Sequence, residues 1–137
     1  MSAIGSERGM TLLEVLVAVA ILSLITALGF PQLEHRRQAL LARSAAFVLS
    51  ADLGRTRAAA IASASETVLL IHPDGRAYTV AGRVRAAPAG VVFAGGAVRF
   101  FSDGTQAGGD LAVLAGPRRI AIAVDPVSGR VAMEDRP

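Results

Sequence analysis

The amino-acid sequence predicts an α+β fold, in which one long N-terminal helix packs on an antiparallel β-sheet domain. Two features predict it. An apolar run over residues 10–30 leads into a helix-prone stretch rich in alanine, leucine and arginine, with Gly54 as a weak interruption. From residue 66 the pattern changes to short β-prone runs divided by turn residues. Helix then strands, without the alternation of a parallel sheet, argues α+β. With 137 residues, and the apolar run set aside, roughly a hundred are left to build one core. A composition that is 53% hydrophobic and 18% charged suits a small globular domain attached to a membrane segment.

Composition also excludes several chemistries. The sequence has no cysteine, so there is neither a disulfide framework nor a thiolate metal site, and its only histidines are His35 and His72. All 14 basic residues are arginine. With a net charge of +3 they are spread along the chain instead of forming a block, which describes a solvated set better than a nucleic-acid surface. Walker loops, nucleophile elbows and zinc helices are absent from the sequence, and two distant histidines make no triad. We expect no enzymatic activity, no cofactor and no metal.

Residues 10–30 are interrupted only by Thr11, Glu14, Ser23 and Thr26. At a rise of about 1.5 Å per residue they span roughly 30 Å, the thickness of a bilayer's hydrocarbon core. The only positive charges before the run are the chain's amino group and Arg8, so the short N-terminal end is expected to stay in the cytoplasm and the remainder to be exported. A secretory signal peptide fits less well, because the run exceeds the usual apolar region and holds a carboxylate. A plain anchor also leaves Glu14 unexplained, since an acidic residue at the centre of a spanning helix costs about 2.5–3.5 kcal/mol. Cleavage between Gly9 and Met10 would supply a reason. The new amino group would carry a positive charge about 6 Å along the axis from Glu14, and in an assembly of offset helices Glu14 could pair with the amine of a neighbour.

The stretch RGMTLLEVLVAVAIL resembles the class III leader and mature start of type IV pilins and type II secretion pseudopilins. It has a short leader ending in Gly9, an apolar first mature residue, Thr11, a glutamate fifth in the mature chain and an apolar run. The resemblance implies that a membrane peptidase cuts after Gly9 and methylates the amine of Met10, although phenylalanine is the commoner residue there. It implies an assembly role for Glu14, and Pro31 stands where pilins often carry a helix-kinking proline. A proline in a helix also removes a backbone hydrogen bond, so a bend is expected; the alternative is a separate helix starting at Pro31.

Beyond Pro31, residues 31–65 are expected to continue as helix. Leu33, Leu40, Phe47 and Ile61 recur at steps of seven or fourteen, with Leu41 and Val48 beside them. This predicts an apolar stripe docked on the downstream domain, opposite Glu34, Arg36, Arg43 and Arg57.

The remainder, 66–137, reads as a β-rich domain. Thr67–Ile71 and residues 76–80 flank a Pro73-Asp74-Gly75 turn and form a hairpin. A strand ending near Phe100 and Phe101 leads to a glycine-rich connection over 103–110 and a return strand. A last hairpin turns over 125–129. Asp103 and Asp110 could offer oxygen ligands, but their spacing is not that of an EF-hand loop, and the glycines suit positive φ better. Residues 81–96 carry no diagnostic pattern.

The Phe100-Phe101 strand end, the Asp103-Gly104 turn, the Gly108-Gly109 pair and the terminal hairpin resemble the minor-subunit family of pseudopilin H and FimT. This implies a leader over 1–9, a transmembrane segment over 10–30, and a periplasmic domain held at the bacterial inner membrane. The implied function is that of a structural subunit of a type II secretion pseudopilus. Its expected partners are other major and minor pseudopilins, the prepilin peptidase and methyltransferase, and the inner-membrane assembly platform. The alternative is a FimT-like minor type IV pilin concerned with pilus assembly or DNA uptake, with Arg118, Arg119, Arg130 and Arg136 as its candidate DNA contacts.

Overall fold

The structure, a computed structural model, describes residues 11–136. It comprises one helix, α1 (Leu12–Ser63), followed by nine strands: β1 (Thr67–Ile71), β2 (Ala77–Val80), β3 (Arg83–Ala86), β4 (Val91–Ala94), β5 (Ala97–Phe100), β6 (Gln106–Gly108), β7 (Leu111–Ala115), β8 (Arg118–Val124) and β9 (Val131–Arg136). Pro31 lies within α1. The chain divides into two units, one ending at Glu34 and the other beginning at His35. Among the described residues no helix is long and apolar enough to cross a membrane. The crossing expected over 10–30 falls partly outside the described residues.

The C-terminal end of α1 closes in a Schellman arrangement. Ser65 N–H donates to Ala60 O at 3.2 Å and Ala64 N–H to Ile61 O at 3.3 Å, with Ala64 at φ 48°. That residue is in the left-handed region where glycine is usual, so the helix ends by hydrogen bonding and not by a breaker in the sequence.

The strands form two antiparallel sheets, one ordered β3-β2-β1-β5-β6 and the other β4-β7-β8-β9. Period-2 alternation places Leu69 and Ile71 of β1, and Ile120, Ile122 and Val124 of β8, on the inner faces. Strand β7 lies between β4 and β8 and buries Leu111, Ala112, Val113 and Ala115. Phe93 N–H donates to Gly75 O at 2.8 Å and the Phe93 ring meets Tyr78 edge to face at 5.1 Å, linking the two sheets.

The sequence assigned the wrong face of α1 to the core. The buried residues are Ala42, Ala45, Ala46, Leu49, Asp52, Leu53, Thr56 and Ala60, at helical spacing. Leu40 and Phe47 are each 68% exposed, and Val48 and Ile61 are exposed as well. Leu40 stands about 200° around the helix from Ala42, and Phe47 the same from Leu49. The buried face is built mainly of alanine around Leu49 and Leu53 and joins one core cluster with buried residues of both sheets, while the larger Phe47 stays outside it.

The hairpins fall where turn chemistry placed them, β1–β2 and β8–β9 among them. Three strands were not anticipated. β3 and β4 lie in the stretch that carried no pattern, and β6 lies inside the expected glycine-rich connection.

Candidate functional site

The N-terminal unit supplies the first candidate surface. Thr11 caps α1: its Oγ1 accepts from Glu14 N–H at 3.2 Å, and its carbonyl accepts from Glu14 N–H at 3.0 Å and Val15 N–H at 3.2 Å. Thr11-Leu12-Leu13-Glu14 has the order of a capping box, and Glu14 sits in the first turn, where the helix dipole favours a negative charge. The threonine-to-glutamate spacing that makes this cap is visible in the sequence. Gly9 and Met10, assigned to processing, lie outside the described residues.

Along the same helix every large apolar side chain from Leu12 to Ile25 is exposed, Leu12 at 78% and Leu22 at 65%. The hydroxyls among them are satisfied internally. Ser23 Oγ donates to Val19 O at 2.7 Å and Thr26 Oγ1 to Leu22 O at 2.8 Å. Apart from Glu14, the described polar side chains of residues 12–27 therefore need no water, which suits an apolar surround.

A second surface lies in the unit beginning at His35. Leu40, Ser44 and Phe47 of α1, with Ile120 of β8 and Met133 of β9, line an open groove of about 600 Å³. Leu40 and Phe47 were expected to be buried against this chain's own sheets. They line instead an exposed apolar face, with Met133 51% exposed at its side. Ser50 Oγ lies 3.2 Å from Met133 Sδ, which holds that flexible side chain beside the helix.

The four arginines considered for DNA do not share one surface. Arg118 and Arg119 are consecutive on β8, so their side chains leave opposite faces of the sheet. Arg119 is paired in register with Arg136 of β9. Arg130 lies at the other end of the hairpin, where its carbonyl accepts from Asp125 N–H at 2.9 Å.

The two turns that carried the family resemblance meet around Arg57. Its Nε donates to Gly104 O at 3.0 Å. Gly104 (φ 82°) and Gly129 (φ 63°) are both in the left-handed region: a Cβ at Gly129 would collide with Arg57 Nε and with Gly104 O, and one at Gly104 would crowd the guanidinium at 3.0 Å. In the first turn Asp103 Oδ1 accepts from Thr105 N–H at 2.9 Å and from its hydroxyl at 2.6 Å. In the second, Asp125 Oδ1 accepts from Ser128 N–H at 2.6 Å, Ser128 Oγ at 2.8 Å and Val127 N–H at 3.1 Å. These bonds hold both carboxyls below their ordinary pKa, the bonds from Thr105 and Ser128 being the main causes. Gln106 joins the turns, its N–H donating to Pro126 O at 3.0 Å and its Nε2 to Val124 O at 2.8 Å. The motif is a structural clasp, with no cluster of ligands for a metal among the described residues.

One buried polar cluster had no counterpart in the sequence reading. Asp52, 2% exposed, accepts from Arg55 at 2.9 Å on Oδ1, and from Arg85 Nε at 2.8 Å and the Tyr78 hydroxyl at 2.8 Å on Oδ2. Arg55 stands three residues after Asp52 on α1, but Tyr78 and Arg85 come from β2 and β3, too far away in the chain for spacing to reveal them.

Comparison with known proteins places these features. Residues 4–30 match the family model described as the prokaryotic N-terminal methylation motif. The type II secretion system protein H of Xanthomonas campestris pv. campestris is 30% identical over 137 residues, covering 90% of this chain and 81% of that protein. Two crystal structures of the type IV minor pilin FimU of Pseudomonas aeruginosa PAO1 share the fold. Their TM-scores are 0.50 and 0.51 at 18% and 19% identity, covering 67% and 68% of this chain and 91% and 87% of theirs. A methylation motif at the head of α1, a helix packed on antiparallel sheets and a similarity running nearly end to end converge on one assignment: the chain belongs to the type II secretion system protein H family of type IV pilin-like proteins.

Proposed function

We propose that the protein is a minor pseudopilin, a structural subunit of a type II secretion pseudopilus that helps drive protein export across the outer membrane. The observation that carries this reading is the exposed apolar surface of α1 from Leu12 to Ile25, on a helix whose hydroxyls are satisfied by its own backbone. Water does not favour such a surface, and lipid or the helices of other subunits would cover it. The subunit is held in the bacterial inner membrane by a single pass, with its β-rich domain in the periplasm. A prepilin peptidase and methyltransferase processes it between Gly9 and Met10. Glu14 then registers it against the amine of a neighbouring major or minor pseudopilin, Pro31 shapes the helix for packing, and the inner-membrane platform assembles the filament. No step in this role requires catalysis by the subunit itself.

The alternative of a FimT-like minor pilin that contacts DNA draws less support. Arg118 and Arg119 leave opposite faces of β8 and Arg130 lies at the far end of the hairpin, so a phosphate backbone meets no continuous basic stripe there.

Mass spectrometry of the protein purified from the cell envelope tests the reading. The expected N-terminus is Met10 carrying one added methyl group. A chain that functions while retaining its first nine residues, or one that starts at or beyond Phe30, would overturn it.

A further inference from the structure

Strand β3 is the open end of its sheet, paired on one side with β2 and on the other with nothing among the described residues. Val80 pairs with Arg83 across the two-residue Ala81-Gly82 turn, so Val80–Arg83 and Tyr78–Arg85 are the hydrogen-bonded pairs of this hairpin. The N–H and C=O groups of Val84 and Ala86 therefore point away from β2. Among the described residues no backbone bond uses them.

Beside this edge is a cleft of about 700 Å³, lined among others by Asp52, Arg55, Thr67, Val80, Arg83 and Arg85. Three guanidiniums and one carboxylate face it. Asp52 is saturated by Arg55, Arg85 and Tyr78, so it balances only one of the three positive charges. Arg83 has no ion pair or side-chain hydrogen bond among the described residues. On the other face of the strand Val84 is 64% exposed.

We propose that the β3 edge and the arginine-lined cleft beside it form a docking site for an extended acidic segment of another protein, which adds to the five-stranded sheet as a further strand. The backbone of that segment bonds Val84 and Ala86. Its side chains at alternate positions, roughly 6.6–7 Å apart as Arg83 and Arg85 are, face the guanidiniums, so carboxylates belong there. The residue between them lies over Val84, where a β-branched side chain fits. The recognised pattern is acidic, β-branched, acidic. A second copy of this chain is a poor occupant, because its β3 would set Arg83 and Arg85 against their own counterparts. The same arginines that guard the edge against self-pairing thus select an acidic strand. This goes beyond the filament reading and does not depend on it.

The test uses the full-length protein in detergent micelles and a fluorescent, end-capped nine-residue peptide alternating Glu and Thr, with a Lys and Thr peptide as control. Anisotropy should show binding of the acidic peptide alone, weakening about tenfold or more as salt rises from about 50 to 500 mM. Arg83→Glu should weaken it about tenfold and turn the preference toward the basic peptide. Ala86→Pro removes one outward N–H while leaving the β2–β3 pairing intact, and should abolish binding. Hydrogen exchange at Val84 and Ala86 should slow in the complex of the unsubstituted protein, a readout independent of whether either variant folds. Equal binding of both peptides, unchanged binding by a folded Ala86→Pro, or exchange at Val84 and Ala86 unaffected by bound peptide would each overturn the proposal. All of these outcomes leave the N-terminus at Met10 untouched, so this proposal and the filament reading fail separately.

Discussion

Asp52 is a charge placed among apolar side chains, and it is tolerated because each oxygen is bonded: Oδ1 to Arg55, Oδ2 to Arg85 and Tyr78. Removing the Tyr78 hydroxyl leaves that carboxylate one donor short. Tyr78→Phe should therefore cost about 1.5–3 kcal/mol, read from the urea midpoint of the full chain. The Tyr78 pKa is raised, first by burial and then by the bond to Asp52 and its negative charge, with Arg85 and Arg55 opposing. A raised value means that this contribution is whole below the ordinary tyrosine value of 10.0 and is lost as pH climbs past it. Asp103 and Asp125 work at the acid end with the opposite sign. Their values are lowered in the fold, so their contribution is present above the ordinary 3.8 and disappears as pH falls below it. Asp103→Asn combined with Asp125→Asn should flatten the acid limb of a stability-against-pH curve. An unchanged limb would show that other carboxyls set it. Of the Asp52 partnership only the spacing of three to Arg55 on α1 was open to the sequence, because Tyr78 and Arg85 reach it from a hairpin whose second strand the sequence did not disclose.

For α1 the contest was between size and fit. Phe47 and Leu40 offered more apolar area, yet the face that meets the sheets is built of Ala42, Ala45, Ala46 and Ala60 around Leu49 and Leu53. The two assignments predict opposite mutational outcomes. Leu49→Ala should destabilise by about 2–5 kcal/mol through the cavity it leaves, whereas Phe47→Ala should stay within about 0.5 kcal/mol in the isolated subunit. Thermal unfolding of both variants in detergent decides between them, and a larger loss at Phe47 would restore the predicted stripe. The existence of the helix was legible from its composition, but its buried face was not. Periodicity marks where large residues recur, and alanine contributes too little to that pattern even where it is the buried residue. The hairpins were legible because Pro73-Asp74-Gly75 and the 125–129 turn are local chemistry. β3 was hidden because all four of its residues are exposed and two of them are arginine, so no apolar alternation marks it.

As a free molecule the chain leaves much apolar surface unburied: Leu12 to Ile25 in the N-terminal unit, and Leu40, Phe47 and Met133 around a groove in the other. Those surfaces are intelligible as contacts with lipid and neighbouring subunits, and on that view Glu14 has two candidate duties that must be separated. As the third residue of a capped helix it stabilises the first turn together with Thr11. As the partner of a neighbour's Met10 amine it registers subunits in the filament. Glu14→Gln divides the two, because glutamine keeps the capping-box geometry and gives up the charge. If capping is the whole of its role, the variant should co-purify with its pseudopilin partners as well as the unsubstituted chain does, and Thr11→Ala, which removes the cap at a cost of about 1 kcal/mol, should be the more damaging change. If the charge registers subunits, the order reverses. Glu14→Gln should remain membrane-inserted and be cleaved after Gly9, yet be depleted from the assembled filament, while Thr11→Ala still enters it. Equal entry of both variants would remove the charge-pairing argument and leave Glu14 a helix-capping residue.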